Sequence, residues 1–210
     1  MTGPGPPLSP ADAPTASLDA TEWMRRQLFD RRIVMLTGSL DDRCATEVGA
    51  ALMSLDAAGD GPVELQIDSA EGTVDAGLAV MDVIDLLGVP VHAWCTGRAE
   101  GPAVGVLTVS HRRTASPHAR IRLTEPQVAF AGDARSLEQL AAEHLRRWSA
   151  FCARMAEVTG PPVDVVRADA AHGRFFSAAE AVAYGLVDDV AAPDARIARL
   201  PGRPLGFNPR

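Results

Sequence analysis

Lysine is absent from this sequence: all twenty basic residues of the 210 are arginine, a pattern read as coding bias rather than function. Cysteine is scarce, with only Cys44, Cys95 and Cys152, which are widely separated and odd in number. No CxxC pair occurs, so neither a zinc site nor a dithiol redox motif is indicated, and a reducing, cytosolic setting fits. Long apolar runs are missing too; none approaches the roughly 18 residues of a membrane span. The first twenty residues lack the basic start and apolar centre of a signal peptide. There is no surplus of positive charge. The formal net charge of −7 argues against nucleic acid or an anionic membrane as partner. No motif calls for a cofactor or a metal.

What is present is a 47% hydrophobic composition, enough for the core of one domain with tails. Residues 1–20, rich in Pro, Ala, Gly and Ser, read as a disordered arm. Residues 21–192 read as one domain, and 193–210 as an irregular tail with four prolines and two glycines.

Periodicity predicts alternating elements. A short helix over Trp23–Asp30 leads into a strand at Arg32–Thr37, then a turn at Gly38–Asp42 whose Asp41 or Asp42 caps a helix over Arg43–Ala57. A strand at Val63–Ile67 precedes a turn at Ser69–Gly72 and a helix over Asp75–Leu87. A strand at Val91–Cys95 precedes a tight turn at Gly97–Gly101 and an apolar helix over Ala103–Ser110. A fourth strand follows at Arg120–Thr124, then a long amphipathic helix over Ser136–Val158 and a short one over Ala178–Tyr184, stopped by Gly185. This alternation implies an α/β fold with a mostly parallel sheet.

Five segments together resemble the ClpP family of serine peptidases, from about Trp23 to Val190. Arg32–Asp41 (RIVMLTGSLD) is similar to the family's opening strand and turn, and Ile67–Val80 (IDSAEGTVDAGLAV) to its Ser-Pro-Gly-Gly loop and helix. Gly97–Gly105 (GRAEGPAVG) resembles its nucleophile turn, and Arg120–Pro126 (RIRLTEP) its histidine strand. Thr159-Gly160 and Asp169–Asp188 (DAAHGRFFSAAEAVAYGLVD) resemble its C-terminal block. The resemblance implies a ClpP/crotonase-like fold, with Ser136–Val158 as a protruding handle helix. It also implies a ring-forming subunit whose partners are copies of itself or an active ClpP paralogue, with a Clp ATPase beyond.

Carried over residue by residue, the family's nucleophile falls on Gly101, its histidine on Thr124 and its aspartate on Gly173. The oxyanion-hole positions fall on Glu71 and Pro102. None of these residues can do the chemistry. The resemblance therefore implies a subunit that has lost its triad and acts structurally or in regulation.

Other candidate nucleophiles are Ser69, Ser110 and Cys95, and other candidate bases His92, His111, His118 and His172. A structural reading is the simpler one for each: core packing for Cys95, helix capping for Ser110 and His111, and turn formation for Ser69. A rearranged serine endopeptidase and a crotonase-like acyl-CoA enzyme are the alternatives. The latter draws on Gly97-Arg98-Ala99-Glu100-Gly101, although Gln127 follows Pro126 where a catalytic Glu would stand. On the long helix, Leu137, Leu140, Leu145, Trp148, Phe151 and Met155 are more apolar side chains than a lone exposed helix carries, and a role shared between core and assembly is expected. In the tail, Leu205-Gly206-Phe207 resembles the short loops by which Clp unfoldases dock, which makes it a candidate docking motif.

Overall fold

Short apolar runs alternating with capped amphipathic segments have one economical arrangement, strands side by side with helices crossing between them. The structure, a computed structural model, describes residues 20–192 and shows that arrangement. Helix α1 (Ala20–Phe29) leads into β1 (Ile33–Leu40), followed by α2 (Asp42–Ala57), β2 (Val63–Gly72), α3 (Val74–Leu86), β3 (Val91–Glu100) and α4 (Pro102–Val109). The second half comprises β4 (Arg112–Ala115), β5 (Arg120–Arg122), α5 (Ala134–Thr159), α6 (Val163–Ala171), β6 (Phe175–Phe176), α7 (Ala178–Tyr184) and β7 (Asp189–Val190). The arm and the tail motif Leu205–Phe207 lie outside the described residues.

The strands form one sheet in the order β1-β2-β3-β4-β7, with β5 joined to β3 and β6 joined to β5. Every pairing is parallel except β5 with β6. β3 forks: His92–Cys95 pair with β4, and Arg98–Glu100 pair with β5. The fork corrects two expectations. Ser69–Gly72 and Gly97–Glu100 are strand, not turn, because β2 and β3 continue past a register shift and find new partners there. Similarly, Gly38–Leu40 remain in β1, paired around a bulge.

Local chemistry sets the helix ends. The Asp41 side chain accepts from the Cys44 N–H at 2.8 Å, and Thr73 accepts from the Ala76 N–H at 3.2 Å. Ser177 and Glu180 form a reciprocal capping box, and Gly185 at φ 89° closes α7 in the left-handed conformation.

Helix α4 is the centre of the core: all eight of its residues are buried, packed on β2, β3, α3 and α5. Helix α5 has two halves. Trp148, Phe151, Cys152, Met155 and Thr159 are buried, whereas no residue from Ala134 to Arg147 is. The apolar positions divide accordingly. Trp148, Phe151 and Met155 belong to the core, while Leu140 and Leu145 face outward. Among the described residues no helix is long and apolar enough to cross a membrane.

Candidate functional site

A single residue, Gly101, separates the end of β3 from the start of α4. It has φ 55° and ψ −124°, a conformation that L side chains rarely adopt. Its N–H donates to the Arg122 carbonyl at 3.1 Å, which ties the bend to β5. The fixed φ of Pro102 starts the helix, and Gly77 of α3 lets that proline approach: a Cβ at 77 would lie 2.8 Å from the Pro102 Cβ.

Thr124 sits beside this elbow. A Cβ on Gly101 would be 3.5 Å from the Thr124 carbonyl oxygen and 3.7 Å from its Cγ2, so there is room for a side chain, yet none is present. The Thr124 hydroxyl has only a 3.5 Å approach to the Glu125 carbonyl. Gly173, at φ 64°, borders the same region with the Arg122 guanidinium laid over it. Arg122 Nε donates to the Gly173 carbonyl at 3.3 Å, and a Cβ at 173 would lie 2.8 Å from Arg122 Nη2. The space into which a 173 side chain would project is thus taken by a guanidinium.

Glu71, next to last in β2, is exposed and in register with Ser39, and its carbonyl accepts from the Ser69 hydroxyl at 3.2 Å. The structure therefore brings Gly101, Pro102 and Thr124 into contact around one elbow and links Gly173 to them through Arg122.

The residue before the elbow was not singled out as a site residue by the sequence. Glu100 is 5% exposed, and its carboxylate accepts from Arg120 Nε at 3.2 Å and Nη2 at 2.8 Å, with Arg122 Nη1 at 3.8 Å. Arg122 also stacks on the Phe175 ring, 4.7 Å from its centroid. A carboxylate this deep needs paired cations, and β5 supplies two at alternate positions. The run Arg120-Ile121-Arg122 was the available signal.

None of the other candidate nucleophiles has a base. The buried Ser69 and Ser110 hydroxyls donate to backbone carbonyls, Glu71 at 3.2 Å and Val106 at 3.0 Å. Burial, with Asp68 nearby, pushes the Cys95 thiol up to about 12, out of the thiolate range. His111 Nδ1 accepts from the Val91 N–H at 3.2 Å, and His172 Nδ1 lies 2.6 Å from the Ala168 carbonyl. Among the described residues no histidine bonds to a serine or cysteine, and His92 stands on the opposite face of the sheet from Cys95. The fifth histidine, His144 on α5, was not among the sequence candidates. Its Nε2 is buried 3.8 Å from Glu125 Oε1, without a hydrogen-bond partner among the described residues.

Comparison with known protein families matches residues 18–194 to the family described as Clp protease. That span holds every described element, and its mostly parallel α/β architecture is the ClpP/crotonase-like fold that the motifs implied. The match spans most of the sequence, and this chain belongs to the Clp protease family.

Proposed function

We propose that this chain is a non-catalytic member of the family, a structural or regulatory subunit of a ring formed with itself or with an active ClpP paralogue. The observation that carries the reading is Gly101: the elbow backbone that would present a nucleophile bears no side chain. Serine acyl transfer needs a hydroxyl, an imidazole to take its proton and a carboxylate to orient that imidazole. Thr124 offers no imidazole, and Arg122 fills the space at Gly173. Pro102 has no N–H to give to an oxyanion, and Glu71, at the family's other oxyanion position by motif alignment, would bring a carboxylate to a site that should stabilise negative charge. Losing one such donor alone costs on the order of 100-fold or more in rate.

The assembly half of the reading is supported by α5. Leu140 is 43% exposed and Leu145 58% exposed, on a half-helix in which no residue is fully buried. Ring assembly covers such apolar surface. The setting is cytoplasmic, with a Clp ATPase as a further partner.

The test combines fluorophosphonate labelling, a fluorogenic peptide assay and sedimentation, with an active ClpP as control. The expected result is neither labelling nor turnover, and a species larger than a monomer at micromolar concentration. Stoichiometric labelling of any serine would overturn the non-catalytic reading, and a micromolar monomer the assembly reading.

A further inference from the structure

Strand alternation puts Arg120 and Arg122 of β5 on one face of the sheet, since Ile121 between them is in the core. The register sets Glu100 of β3 on one side of Arg122 and Phe175 of β6 on the other. Two cations share the Glu100 carboxylate, which accepts from Nε and Nη2 of Arg120 and lies 3.8 Å from Nη1 of Arg122. Both guanidiniums also lie over the Phe175 ring, with their central carbons 5.7 Å and 4.7 Å from its centroid. Arg122 Nε is tied in addition to the Gly173 carbonyl at 3.3 Å.

These contacts fix three side chains at the surface. Phe175 is 53% exposed, and the Arg120 side chain 56%. Aromatic and arginine side chains held in place in this way are the usual anchors of interfaces, because little ordering remains to be done on binding. One carboxylate against two guanidiniums makes the patch basic, in a chain whose formal net charge is −7. The partner that fits it carries a carboxylate and an apolar side chain at matching separation.

The outward half of α5 carries both. Glu138, Ala142 and Leu145 follow at four and three residues, so they share one stripe of the helix, and all three are exposed. Two turns separate Glu138 from Leu145, about 10 Å. On the patch, Arg120 stands two residues along β5 from the register partner of Phe175, about 8 Å from it across the sheet. The length of an arginine side chain covers the difference.

We propose that the Glu138–Ala142–Leu145 stripe of a second copy of this chain docks on the patch of Arg120, Arg122 and Phe175. Leu145 covers the Phe175 ring, and Glu138 pairs with Arg120. In a two-fold pair each copy gives its helix to the other, so the contact forms twice. The inference rests on the assembly reading above and assigns that assembly its two surfaces.

The test is sedimentation of the full chain over a range of concentrations and salt, with circular dichroism to confirm that each variant is folded. Phe175→Ala and Leu145→Ala change exposed residues and leave Glu100 with both of its arginines. Each is expected to raise the dissociation constant of the assembly about tenfold or more. The double variant should be little worse than either single one, because residues in contact do not act additively. Raised salt should weaken the parent assembly, and weaken that of Glu138→Gln less. A parent that is a monomer at micromolar concentration overturns the assembly reading, and this inference with it. A parent that assembles while Phe175→Ala and Leu145→Ala assemble equally well overturns this inference alone. Fully additive effects of the two would show that the residues meet different partners, and the proposed pairing would fail.

Discussion

Gly105 of α4 lies against the ring of Phe151 on α5: a Cβ at 105 would fall 2.6 Å from the Phe151 Cζ and 2.8 Å from Met81 Sδ. The glycine lets the central helix approach the stacked pair Trp148–Phe151, whose ring centroids are 5.4 Å apart. Gly105→Ala should therefore destabilise although alanine is the better helix former. Overpacking costs about 1–3 kcal/mol against a propensity gain of about 1 kcal/mol. Contacts this short put the overpacking cost in the upper part of that range, so a net loss of about 1–2 kcal/mol lowers Tm by roughly 2–8 °C at this chain length, and Phe151→Leu in the same chain should recover part of it. Thermal unfolding followed by circular dichroism reads both; an alanine variant as stable as the parent refutes the contact.

Arg122 predicts how an attempt to restore catalysis would go. In the triple variant Gly101→Ser/Thr124→His/Gly173→Asp, the new carboxylate arises beside a guanidinium already 2.8 Å from a Cβ at 173. An arginine takes a carboxylate in a strong, bidentate pair, so the imidazole is left without its orienting partner. That loss costs up to about 10⁴ in triad chemistry. Adding Arg122→Ala to the triple variant should raise its fluorophosphonate labelling rate by about tenfold or more. Equal rates with and without Arg122 would show that the guanidinium is not the obstacle.

Arg32 is the one non-glycine with positive φ among the described residues, at 60°. Its guanidinium fixes it there by donating to the carbonyls of Leu55 at 2.9 Å, Gly59 at 3.1 Å, Gly61 at 2.6 Å and Pro62 at 3.3 Å. Those bonds close the end of α2 and the loop after it. Both Arg32→Ala and Arg32→Gly should destabilise, but glycine should be the better by about 1 kcal/mol, because only alanine keeps the left-handed strain. Denaturant midpoints of the two variants decide it; alanine equal to or above glycine contradicts the account.

Asp188 makes stability depend on acid. Burial works against its ionisation, but hydrogen bonds from the Arg113 side chain and N–H, with the charges of Arg113 and Arg112, outweigh burial and hold its pKa below the ordinary carboxylate value. A depressed folded-state pKa contributes stability that is present above the unfolded value and lost as pH falls through the folded one. Asp188→Asn should therefore be the less stable protein at neutral pH, and its midpoint should fall less steeply below about pH 4. Parallel slopes for parent and variant in that window would remove Asp188 from the account.

The sequence made the alternation legible because periodicity and caps act locally. The Asp41 cap and the Gly185 stop stand where their residue types implied. What it missed depends on distant partners. The polar ends of β2 and β3 look like turns until Arg98 is seen donating its N–H to Asp68 at 3.0 Å and Glu100 is seen held by Arg120. Strands β4, β6 and β7 have four, two and two residues, too few for any period to show. Helix α6 follows Pro161-Pro162 with nine residues and only Val166 and Ala170 buried, so its apolar face is barely marked. The elbow glycine was legible by alignment with the family motif. The guanidinium over Gly173 was not, since it comes from a strand 51 residues away.

The outward half of α5 has the proportions of a lever arm. From Ala134 to Trp148 the helix runs about 21 Å with no buried residue before its last position. A side contact near its base is the edge-to-face approach of Phe130 to His144, at 6.0 Å between centroids. A tilt of about 3° at the Trp148 fulcrum therefore carries the tip roughly 1 Å sideways, given that helix length. A partner gripping Leu140 and Leu145 would thus sense repacking around Phe151, next to α4 and its elbow, as an amplified displacement rather than as a change of surface.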